Sequence, residues 1–128
     1  MKEKRQVAIV HYNTPELIEA AICSLRKHGG EKYRVVVFDN SDRRPFRKKM
    51  KGVEIIDNTK GQVIDLEAEI MKYPNRYRYG TYNGWGSDKH MMSIQKLWDI
   101  LPDGFLLMDS DVLLKKDVDF MFMEDQCV

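Results

Sequence analysis

The chain is poor in the residues that mark several large protein classes. It has two cysteines in 128 residues, Cys23 and Cys127, with no CxxC spacing. That excludes a disulfide framework and a cysteine-built zinc site, and points to a reducing, cytoplasmic setting. No apolar run approaches the roughly 20 residues needed to cross a bilayer, and Val7 to Val10 is too short for a signal-peptide core. No charge of one sign dominates: 21 Lys and Arg face 20 Asp and Glu, a net charge of +1. Nucleic-acid binders usually carry a strongly basic surface, so no nucleic acid is expected as a partner. A Gly-rich phosphate loop after the first apolar segment is missing too, since "HYNTPE" stands there. There is no internal repeat, low-complexity tract or linker.

What is present describes one globular domain over residues 1–128. Hydrophobic residues make up 43% and charged residues 32%, enough to build a core without disorder. "QVAIVHYN" (Gln6 to Asn13) is a short β-branched apolar run that stops in polar residues, which predicts a buried strand. Thr14 then offers an N-cap and Pro15 a first helical position. Leu17, Ile18, Ala21, Ile22 and Leu25 follow at helical spacing, and "HGG" (His28 to Gly30) ends the run. "RVVVFDN" (Arg34 to Asn40) and "VEIIDN" (Val53 to Asn58) predict two more strands. Val63, Leu66 and Ile70 fit a short helix, and "YPNRYRYG" fits a loop. "SDKHMMSIQKLWDIL" fits a longer helix, with Ser87 as N-cap and Met91, Ile94, Leu97, Trp98 and Leu101 as its apolar stripe. "GFLLMD" predicts a fourth strand, and beyond Val112 the pattern is mixed.

This order predicts an α/β fold, a mostly parallel sheet with helices on both faces. Ligands of such sheets bind at the carboxyl ends of the strands. Three strands end there in polar side chains: Tyr12–Asn13, Asp39–Asn40 and Asp109–Asp111. Two carboxylates one residue apart after "GFLLM" repel each other unless a cation lies between them. Their hard oxygens suit Mg²⁺ or Mn²⁺, which commonly shares its shell between one or two carboxylates, water and substrate phosphates. The plainer alternative is a turn or a helix cap.

"VAIVHYNTPELIEAAICSL", "RVVVFDNSD" and "GFLLMDSDVLL" resemble, in order and spacing, the nucleotide-sugar-binding N-terminal half of family 2, GT-A-fold glycosyltransferases. The resemblance runs over nearly the whole chain. It implies a Rossmann-like transferase domain that binds a nucleotide-diphosphate sugar, UDP-linked, through a DxD motif and manganese or magnesium. Tyr12 and Asn13 would lie beside the nucleotide, and Asp39 would accept from a uracil edge next to Asn40. Asp109 would contact the ribose or the metal shell, and Asp111 would bind the metal. "NGWGSDKH" (Asn83 to His90) resembles the family's phosphate-side helix start, with Lys89 and His90 in place of Arg and Asn. The acceptor, whether glycan, lipid-linked or protein, is not implied. In that family the catalytic base comes from a second half of the domain. Only 17 residues follow Asp111, so no base is assigned and these residues alone are expected to be inactive.

Other readings stand beside this one. Asp39 could cap a helix, Lys89 and His90 could be a solvated helix start, and Trp85 and Trp98 suit a core. "RRPFRKKMK" (Arg43 to Lys51) could meet a diphosphate, an acidic partner or an anionic membrane surface, or be a solvated charged segment. "NRYRY" could stack a base. An apolar strand ending in DxD also opens haloacid-dehalogenase-like phosphatases, but their motif continues to Thr or Val where Leu113 stands. A metal-dependent nucleotidyltransferase needs the same carboxylates. A non-catalytic nucleotide-sugar or partner-binding domain is the remaining class.

Overall fold

A computed structural model describes residues 5–72 and 85–114, apart from the side chains of 85–87. The "NRYRY" segment, the side chains of Trp85 and Ser87, the segment after Leu114 and Cys127 lie outside the described residues. The long helix runs Trp85–Ile100, so Ser87 stands inside it and is not its N-cap. Strand β1 (Arg5–His11) leads into helix α1 (Pro15–Gly29), and a 3-10 turn (Gly30–Lys32) leads into β2 (Tyr33–Asp39). An irregular crossing brings the chain to β3 (Val53–Asp57), then to a short helix α2 (Leu66–Met71). Helix α3 (Trp85–Ile100) precedes β4 (Leu106–Leu107). All strands are parallel, in the order β3-β2-β1-β4. The described residues therefore form the expected α/β architecture with a parallel sheet.

Side-chain alternation along the central strands sends each residue to one of two cores. Val7 and Ile9 of β1 and Val35 and Val37 of β2 pack with Ile18, Ala21, Ile22 and Leu25 of α1. Ala8, Val36 and Phe38 pack on the other face with Leu97 and Leu101. Each fully buried Val, Leu or Ile contributes about 1.5–3 kcal/mol, and both faces are covered. The end of α1 fits closely here: a Cβ on Gly29 would lie 2.0 Å from Cε2 of the buried Tyr33. Only a residue without a side chain lets the helix pass at that distance.

Several expectations are corrected. Leu17 is 43% exposed and belongs to a cleft, not to the α1 stripe. Thr14 precedes α1 without capping it through its side chain. Met91 and Trp98 are exposed, because α3 turns Ser93, Leu97 and Leu101, at four-residue spacing, toward the sheet. Trp98 lies on the surface beside Phe105, ring centroids 4.9 Å apart. Strand β4 is only two residues long, and one further bond, from Met108 N–H to the Ala8 carbonyl, carries its pairing to the site.

The basic run Arg43 to Lys51 is held by acidic neighbours. Arg44 pairs with Glu16 and Lys48 with Glu19, both on α1. Arg47 reaches Asp57 at 3.0 Å, and Lys51 reaches Glu31 at 3.0 Å. With Phe46 buried in the middle, the run straps the β2–β3 crossing onto α1. Among the described residues no helix is long and apolar enough to cross a membrane.

Candidate functional site

The carboxyl ends of the strands open into one cleft of about 840 Å³. The strand order reverses between β1 and β4, and in doubly wound sheets ligands sit outside that reversal. Tyr12 and Thr14 line the cleft after β1, Asn40 and Asp42 after β2, Asn58 to Gly61 after β3, and Asp109 to Asp111 after β4. Lys89 and His90, from the first turns of α3, form part of its wall.

The two aspartates of the DxD lie on a reverse turn. Val112 N–H donates to the Asp109 carbonyl at 3.2 Å, which closes the turn around Ser110 and Asp111. Both carboxylates are exposed and both line the cleft. Among the described residues no group of three or more His, Cys, Asp or Glu could hold a metal. A cation here would take these two carboxylates and complete its shell from water and ligand oxygens, the arrangement Mg²⁺ and Mn²⁺ favour.

Asp39 has a different place from the one expected. It is fully buried at the end of β2 and does not line the cleft. His11 Nε2 accepts the Thr14 N–H at 2.8 Å, so the ring proton sits on Nδ1 and is donated to Asp39 Oδ1 at 3.1 Å. The backbone N–H groups of Ser41 and Phe46 also donate to Asp39, each at 2.9 Å. Burial pushes the Asp39 carboxyl up, but these hydrogen bonds outweigh it and hold its pKa down at about 2. With no exposed surface, Asp39 cannot meet a base edge. It locks the exits of β1 and β2 together.

Asn13 serves the same lock. It adopts φ 55°, a left-handed conformation that asparagine tolerates. Its side-chain oxygen accepts from the N–H groups of Arg43 and Arg44, and its amide nitrogen donates to Asp42 at 2.6 Å. That hydrogen bond lowers the Asp42 pKa. Asn13 is thus turned to the β2 exit loop, not placed beside a ligand as expected. Tyr12 is the residue this turn presents to the cleft, 55% exposed.

Asn40 lines the cleft as expected, bonded to Ser93 and Asn58. Lys89 lines it too, its Nζ 3.3 Å from Glu67 Oε1 on α2. The cleft also holds residues the sequence reading passed over, chiefly His11, Asp42, Asn58 and Lys60. For Asn58 a signal was present, because "VEIIDN" ends as "RVVVFDN" does. For His11 and Asp42 no local pattern separates a buried clamp from a loop residue.

No family model matches the chain, and neither do any curated protein or any solved structure.

Proposed function

We propose that the chain is the donor-binding part of a GT-A-like glycosyltransferase, holding a nucleoside-diphosphate sugar at the carboxyl edge of its sheet. The observation that carries this is the meeting of Asp109 and Asp111 with Tyr12 and Asn40 in one cleft, at the reversal of strand order. Asp109 and Asp111 would hold a manganese or magnesium ion, which supplies charge neutralisation for a departing diphosphate. Tyr12 offers a ring face and Asn40 an amide for the nucleoside. Lys60 and Lys89 place cations on the cleft wall, where phosphate oxygens gain from them. The reading assigns donor binding to these residues and no catalytic base.

Calorimetric titration of UDP tests it. Binding is expected in the presence of Mn²⁺ and loss of most of the affinity with EDTA. Equal affinity with and without the metal would remove the role given to Asp109 and Asp111.

A further inference from the structure

Strand β4 stands at one edge of the sheet, and its sequence does nothing to blunt that edge. Edge strands are commonly protected by charged side chains or proline, and "GFLLM" (Gly104 to Met108) has neither. Leu107 is the exposed rung. The Ala8 carbonyl takes the Met108 N–H, in a register that pairs Ala8 with Leu107, so the N–H and C=O of Leu107 point away from the sheet. Among the described residues neither has a partner.

An apolar strip lies over this edge. Leu107 is in register with Ala8, so its side chain shares the face of Ala8, Leu97 and Phe105. On that face Met91, Ile94 and Trp98 recur at three- and four-residue spacing along one flank of α3. Lys89, half a turn round the helix from Trp98, reaches Glu67 on α2. The Met91–Trp98 flank is therefore turned away from α2, to the side where β4 is open. Met91 is 54%, Trp98 53% and Leu107 36% exposed. Single apolar residues at a surface need no explanation, but a row of them beside an open strand marks an interface.

The strip is its own complement. Helix α3 returns antiparallel to β4, and the Trp98 and Phe105 rings lie 4.9 Å apart, at one level. One turn back along the helix is about 6 Å, and two residues on along the strand is about 6.6 Å. Ile94 is therefore level with Leu107. A two-fold axis normal to the sheet at Leu107 sets its N–H and C=O against those of its own copy, an antiparallel pair with both bonds made. The same axis passes Ile94 and brings Met91, three residues before it, opposite Trp98, four residues after. A thioether against an indole is a favourable contact, and the symmetry makes it twice. Like charges directly opposite each other repel. The residues that would meet their own copies are Leu107, Ile94 and Gln95, all uncharged, and the Gln95 amide both donates and accepts.

We propose that a second copy of this chain covers the β4 edge, joining the two sheets antiparallel through Leu107 and packing the two α3 helices side by side. The two clefts then lie at opposite edges of the joined sheet, and neither takes part in the contact. The proposal is independent of the nucleotide reading.

The test is sedimentation velocity with light scattering on the full chain at micromolar concentrations. The expected mass is twice that of one chain, with no larger species, because a two-fold contact closes on itself. Trp98→Glu is expected to weaken the dimer tenfold or more. Met71→Glu places the same charge at an exposed position on α2, away from the strip, and is expected to leave the dimer intact. If Trp98→Glu does not fold, Met91→Glu decides in its place. A monomer throughout, or a mass that keeps rising with concentration, overturns the proposal. So does a dimer as tight in Trp98→Glu and Met91→Glu as in the parent, or one lost equally in Met71→Glu.

Discussion

Asp39 shows how one side chain can look like a ligand contact and act as a rivet. It ends an apolar strand at the carboxyl edge, where binding residues gather, yet its carboxylate is enclosed by His11, Ser41 and Phe46. Two buried backbone donors depend on it, and leaving a buried donor unpaired costs about 1–3 kcal/mol. Asp39→Ala is therefore expected to lower the melting temperature by roughly ten degrees or more, measured by calorimetry. A fall confined to ligand affinity, with the melting temperature unchanged, would restore the contact role. The same residue governs acid stability. Its folded pKa of about 2 lies below the ordinary aspartate value of 3.8. The stabilisation is thus complete above about pH 4 and lost as pH falls toward 2, on the order of 2 kcal/mol in all. Equilibrium unfolding followed across that window should show the loss in the parent chain and not in Asp39→Asn.

Among the elements, the strands and α1 were legible because their apolar residues sit where pattern and packing agree. Ile18, Ala21, Ile22 and Leu25 were placed correctly by spacing alone. Helix α3 was harder, because its buried face includes Ser93, which no hydrophobic periodicity marks, and leaves Trp98 outside. The place of Asp109 and Asp111 at the carboxyl edge was readable because an apolar run delivers them, whereas Asp39 and Asn13 each take a partner 28 or more residues away, His11 and Asp42. The β2–β3 crossing depends on another such contact. Arg26 on α1 donates to the carbonyls of Gly30, Tyr33 and Lys51 and ties the helix end to both neighbouring segments. Gly52, at φ 71°, lies against it, and a Cβ there would be 2.7 Å from Arg26 Nη2. Gly52→Ala combines backbone strain with displacement of that guanidinium and is expected to cost about 2 kcal/mol. Chemical denaturation measures this, and a change within a few tenths of a kcal/mol would mean the turn adapts freely.

At the scale of the whole molecule, four parallel strands bring residues scattered from Tyr12 to Asp111 to one edge. Four cations of the basic run, Arg44, Lys48, Lys51 and Arg47, pair at the surface with Glu16, Glu19, Glu31 and Asp57. The cleft itself carries carboxylates after β4 and cations after β3 and on α3. Under the proposed function that arrangement takes an anion carried by a metal, and Asp111 is the residue on which the proposal turns. The direct measurement is the melting shift produced by UDP with Mn²⁺ in the parent chain and in Asp111→Ala. At one hundred times its dissociation constant a ligand stabilises by about 2.7 kcal/mol, a shift of roughly ten degrees for a domain of this size. The account predicts that shift in the parent, its loss without Mn²⁺, and its loss in Asp111→Ala. The apo form of that variant should melt no lower than the parent, since Asp111 is exposed and sits near a like charge. No shift in the parent, or an equal shift in both proteins, would contradict the account.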